Sequence, residues 1–118
     1  MGKVYGIHEI ELHPGVDEKS FVEFFNKEYA RSFAEFGWKM ILLKGDRGHR
    51  VGKYAVLLEI VSREARDRWA PAPGENSEEA KRWYEEHKKL ADDLGKKWAS
   101  FSPTATGAHQ EYTDYLEL

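Results

Sequence analysis

The stretch VYGIHEIEL, residues 4–12, alternates apolar and polar side chains with the period of two that marks a β-strand. Its reading decides the fold, because everything after it follows at strand and helix spacing. It also sets His8 on the same face as Ile10 and Leu12. An imidazole there is either a packed, hydrogen-bonded core group or a functional one.

Working outward, His13-Pro14-Gly15 is a turn signal, and Asp17 is the predicted N-cap of a helix. Val16 and Phe21 stand at the two positions of a hydrophobic staple, and Val22, Phe25, Tyr29, Phe33 and Phe36 continue an apolar stripe. Gly37 is a natural stop. WKMILLK (38–44) and KYAVLLEIV (53–61), joined by the glycine-rich GDRGHRVG, form a predicted hairpin. Ser62 caps a short helix over SREARDRW, and APAPGEN (70–76) has the Pro/Gly content of an irregular loop. A second long helix follows. Asn76 and Glu79 have capping-box spacing, with Ala80, Trp83, Tyr84, His87, Leu90, Ala91 and Leu94 at i, i+3, i+4 intervals. It ends at Gly95 or runs on through Trp98. AHQEYTDYLEL (108–118) reads as the last strand.

The order is β-α-β-β-α-β with one extra short helix, the α+β ferredoxin-like plan: a four-stranded antiparallel sheet with its helices on one face. The 118 residues make a single domain, residues 1–118. The other sheet face would carry Tyr5, Ile7, Ile41, Leu43, Ala55 and Leu57, punctuated by Glu9, Glu11 and Glu59. That is too apolar for water. A second copy of the sheet is the simplest cover, so a homodimer through this face is expected.

This order, with Leu12-His13-Pro14-Gly15 leading into an amphipathic helix and YAVLLEIVS leading through Ser62 into a short one, resembles the dimeric α/β-barrel superfamily. That superfamily includes the antibiotic-biosynthesis monooxygenase, heme-degrading monooxygenase, EthD and NIPSNAP families. The resemblance implies two sheets facing each other in a barrel and a ligand held in each subunit between sheet and helices. In the heme-degrading members it implies a polar residue on the first strand, a tryptophan closing the third strand and a histidine on the helix that follows. Here His8 stands where an asparagine would be and Ile60 where the tryptophan would be. Heme binding, with His87 as the only histidine on a long helix, is therefore the minor alternative, and no cofactor is expected.

If Ile10 and Leu12 face the helices, so does His8, with Tyr54, Val56, Leu58 and Ile60 beside it from the third strand. His87 stands in the stripe that carries Trp83 and Tyr84, so two imidazoles and several aromatics are expected to converge on a mostly apolar pocket. His8 and His87 are the candidate catalytic residues. Tyr54, Leu58, Trp69, Trp83 and Tyr84 are the candidate pocket, with Trp69 and APAPGEN at its opening. The competing reading is structural: aromatics at helical spacing are usually core.

Two function classes fit. One is a cofactor-independent enzyme, monooxygenase or isomerase-like, acting on an aromatic or polyketide-like compound with His8 or His87 moving a proton. The other is a non-catalytic binding or stress-related protein holding a small apolar or aromatic molecule. A formal charge of −3 with both signs interspersed argues against a nucleic-acid partner. The absence of cysteine excludes disulfides, thiolate nucleophiles and thiolate metal sites. MGKVYGIHEI lacks a signal-peptide run and no segment has the length of a membrane span, so a cytoplasmic location is the expectation. GDRGHRVGK lacks the spacing and final Ser or Thr of a phosphate-binding loop. His8, His13, His49, His87 and His109 show no metal-ligand spacing. Glu9, Glu11 and Glu59 form rim salt bridges or, less simply, a carboxylate cluster, and KKLADDLGKK is the wet face of the second helix.

Overall fold

The computed structural model describes residues 2–106 and 111–118. It is an α+β fold with one open four-stranded antiparallel sheet, compatible with the ferredoxin-like plan. The strands are β1 (Val4–Ile10), β2 (Trp38–Lys44), β3 (Tyr54–Ile60) and β4 (Thr113–Leu116), in the spatial order β2-β3-β1-β4. The helices are α1 (Glu18–Phe24), α2 (Ala30–Ser32), α3 (Arg63–Trp69), α4 (Glu78–Glu86) and α5 (Lys88–Phe101). Each neighbouring strand pair is antiparallel, so β1 and β2 run parallel with β3 inserted between them. Ala108, His109 and Gln110, where the sequence starts the last strand, lie outside the described residues.

The pleat sorts side chains as the alternation requires. Val4, Ile10, Val56, Leu58 and Ile60 are buried beneath the helices, and Gly6 and His8 share their face. The register Tyr5↔Glu59, Ile7↔Leu57 and Glu9↔Ala55 puts the other set on the open face. There Ile41↔Leu57 and Leu57↔Ile7 make one apolar row across three strands, with Leu43 40% exposed and Tyr115 60% exposed. The glutamates of that face pair with cations: Glu59 with Lys3 at 2.6 Å and Glu9 with Arg50 at 3.5 Å. Lys3 holds the Glu59 carboxyl below its ordinary range.

β1 stops two residues short of the predicted Leu12, for a visible reason. The Glu11 amide donates to Thr104 Oγ1 at 2.9 Å, and the buried Ser102 hydroxyl donates to the Glu11 carbonyl. Both ladder groups of Glu11 are thus taken by the segment after α5. His13 then donates from its backbone amide to the Phe101 carbonyl and from Nε2 to the Ala99 carbonyl, each at 2.8 Å, satisfying carbonyls at the end of α5.

Asp17 caps α1, accepting from the Ser20 amide at 3.2 Å and its hydroxyl at 2.6 Å. The predicted single helix is broken up behind it. Phe25–Tyr29 form a π-helical turn, Ala34–Phe36 a 3₁₀ turn, and Gly37 closes at φ 76°, a left-handed conformation that favours glycine. A stripe of Phe21, Phe25, Tyr29 and Phe33 repeats every four residues, which would drift about 40° per step around an α-helix. The wider π turn takes up that drift and keeps the aromatics on the core.

The second long helix departs from expectation at two points. Its cap is Ser77, not Asn76: the Ser77 hydroxyl accepts from the Ala80 amide at 3.1 Å, while its own amide donates to the Trp69 carbonyl at 3.0 Å. The helix also breaks at His87, whose φ of −113° and ψ of 29° separate α4 from α5. Beyond the break, α5 runs through Gly95 and Trp98 to Phe101.

Candidate functional site

A cavity of about 120 Å³ lies between the helix-facing side of the sheet and the helices. The sheet supplies His8, Trp38, Met40, Val56, Leu58 and Ile60. The π turn and its continuation supply Tyr29, Phe33 and Phe36, and α4 and α5 supply Tyr84 and Trp98. Residues of the Ala70–Asn76 loop, Ala72, Gly74 and Glu75 among them, complete the wall. A mostly apolar, aromatic space with few polar groups is the usual form of a small-molecule site.

The polar groups gather at one end. Gly6 faces Leu58 on β3 and Asp114 on β4, and its lack of a side chain lets the His8 and Asp114 side chains close over it. A Cβ there would lie 2.9 Å from Asp114 Oδ1, 3.3 Å from His8 Nε2 and 3.6 Å from Leu58 Cβ. The imidazole edge and the carboxylate therefore converge on one point. The His8 ring stacks on Tyr112, centroids 5.0 Å apart and planes within 10°. Arg66, from α3, donates from Nη1 to Asp114 Oδ2 at 3.1 Å and from Nε to Asp67 Oδ1 at 2.9 Å.

Burial lowers the Arg66 guanidinium, but Asp67 and then Asp114 outweigh it and hold the group above its ordinary value. Burial, helped by the Asp114 charge, pushes the Tyr112 phenol up. Burial likewise raises Tyr84 and Tyr29. The cavity thus keeps its phenols protonated and its one arginine charged. Among the described residues, one buried side-chain polar atom has no hydrogen-bond partner: Nε1 of Trp38, a lining residue.

Of the residues singled out from sequence, His8, Leu58 and Tyr84 line the cavity. The other four lie elsewhere. His87 donates from Nδ1 to the Trp83 carbonyl at 2.8 Å and stacks on the Trp83 ring at 4.3 Å, in the break between α4 and α5. Trp83 is buried, with its indole N–H on the Glu35 carboxylate. Trp69, expected at the opening, is 7% exposed and stacks on Phe36 at 4.3 Å with planes within 3°, a core position. Tyr54 donates to the Glu18 carboxylate, which also holds Lys44 at 2.6 Å. His8 and His87 therefore do not share one pocket. A porphyrin does not fit these residues, since the cavity has one-ring dimensions and His87 is outside its lining.

Arg66, Tyr112 and Asp114 were not singled out from sequence. The signal for Asp114 is the pairing of β4 with β1, which sets it opposite Gly6. No group of three or more His, Cys, Asp or Glu among the described residues could hold a metal ion, and no described helix is long and apolar enough to cross a membrane. No family model, curated protein or solved structure matches this chain.

Proposed function

We propose that this chain is a small-molecule pocket protein of the dimeric α/β-barrel type, holding a small aromatic or polyketide-like compound between sheet and helices. The observation that carries the reading is the aromatic-walled cavity with His8, Arg66 and Asp114 at its polar end. In the enzymatic form of the reading, cofactor-independent and monooxygenase or isomerase-like, His8 takes or gives a proton on the bound compound, as the imidazole among the described lining residues. The stack of His8 on Tyr112 favours a second form, in which the same cavity binds a ligand without changing it.

A second copy of the chain covers the open sheet face in this proposal. The support is the apolar row Ile41, Leu57 and Ile7, flanked by Leu43 and Tyr115. Leaving such side chains in water forfeits about 1.5 to 3 kcal/mol each. Sedimentation at micromolar concentration is expected to give a dimer, and a monomer would refute this part.

His8→Ala tests the site. Phenol and toluene, screened by thermal shift and then titrated, are expected to bind the parent chain. A folded His8→Ala protein loses about 0.5 to 1.5 kcal/mol of phenol affinity, the worth of a positioned hydrogen bond. Unchanged affinity in a stable variant removes His8 from the site.

A further inference from the structure

The charge around the cavity goes further than the reading of it as a ligand site, on which it rests. Among the described residues the lining carries one guanidinium, Arg66, one imidazole, His8, and two carboxylates, Glu75 and Asp114. Arg66 is already engaged, at 3.1 Å to Asp114 and 2.9 Å to Asp67. A guanidinium held between two carboxylates has no net positive charge to offer a third. The polar end therefore offers an anionic ligand no unpaired guanidinium, although it contains an arginine.

We propose that the cavity selects a neutral one-ring aromatic compound bearing a hydroxyl or N–H group, which donates to Asp114, over an aromatic anion, for which Arg66 is already engaged. Asp114 is suited to this because Arg66 binds Oδ2, while Oδ1 stands over Gly6 with the His8 imidazole edge beside the same point. A carboxylate accepts in as many as four directions, so the pair with Arg66 leaves it able to accept more. Size sets the ring count: a cavity of roughly 150 Å³ holds benzene, and this one is about 120 Å³. Tyr29, Phe33, Phe36 and Trp98 give the ring its apolar walls. A charged ammonium would also find a carboxylate there, but it gives up far more hydration on entering an apolar space than the neutral donor does.

The experiment is calorimetric titration of the full chain, and of Asp114→Asn, with phenol, toluene, benzoate and benzylamine at neutral pH. The parent is expected to bind phenol about tenfold or more tighter than toluene, the worth of a hydrogen bond to a charged group, and benzoate more weakly than toluene. Asp114→Asn, which removes the charge and frees Arg66, narrows the lead of phenol and strengthens benzoate, with toluene unchanged. Equal binding of phenol and toluene, or tighter binding of benzoate or benzylamine, overturns the selectivity while leaving the cavity as a ligand site. Binding of neither phenol nor toluene overturns the ligand site itself. An Asp114→Asn protein that keeps the phenol lead also overturns the proposal, and should that variant fail to fold, the parent series decides alone.

Discussion

Replacing Gly6 with alanine tests the convergence at the polar end of the cavity. Gly6 has ordinary strand conformation, so the backbone accepts alanine, and the unfolded chain loses freedom worth about 0.4 to 1 kcal/mol in favour of folding. Against this stands the new methyl group, 2.9 Å from Asp114 Oδ1 and 3.3 Å from His8 Nε2. Both atoms are the ends of side chains, so they move rather than the backbone, and overpacking of this kind costs about 1 to 3 kcal/mol. The net expectation is a loss of about 0 to 2.5 kcal/mol, with a midpoint lower by roughly 4 °C for each kcal/mol in a domain of this size. Asp114 turns away from Arg66 or from the space above residue 6. Tryptophan fluorescence in urea reads the stability and titration with phenol reads the site, where the phenol lead over toluene should shrink. A Gly6→Ala protein more stable than the parent by the entropy gain alone, with phenol binding unchanged, would refute the convergence of His8 and Asp114 on that point.

Two further expectations follow from local chemistry. Ser77→Ala should cost about 1 kcal/mol in urea unfolding, whereas Asn76→Ala should stay within about 0.5 kcal/mol, because the Ser77 hydroxyl receives the Ala80 amide; the reverse ranking would return the cap to Asn76. Above pH 10 the unfolded chain releases the Tyr29 proton while burial keeps it bound in the fold, so the folded state holds more protons and stability falls as pH rises. The slope is about 1.4 kcal/mol per pH unit for this group, present in the parent and reduced in Tyr29→Phe; equal alkaline slopes in the two proteins would contradict it.

Period alone made the sheet legible. The alternation in VYGIHEIEL, WKMILLK and YAVLLEI places each side chain on the face where the structure has it, since a pleat allows only two directions. Asp17 and Ser62 were readable as caps because each precedes an apolar periodic run and offers an oxygen three residues before an unsatisfied amide. What failed to show were departures set by distant partners. Leu12 continues the alternation, yet β1 ends at Ile10 because Ser102 and Thr104, some ninety positions away in the chain, take the backbone of Glu11. The π turn had a local signal that was available: four aromatic residues at intervals of four, a spacing that drifts about 40° per step around an α-helix.

The two histidines show where sequence reasoning about a site stops. Each sits in an apolar stripe at the right spacing, and the same rule assigned both to a pocket. On β1 the neighbours of His8 along its face are fixed by the pleat, and one of them, Gly6, has no side chain, so the imidazole edge and Asp114 meet over it while the ring stacks on Tyr112 and lines the cavity. On the helix His87 follows Trp83 by four residues, close enough for its Nδ1–H to reach the carbonyl of the preceding turn, and once it does so the ring lies flat on the indole and the helix breaks there. Spacing gives both residues the same face. What separates them is the partner at hand: His87 bonds to its own helix, whereas His8 stands beside Asp114, a residue that only the pairing of the first strand with the last brings there.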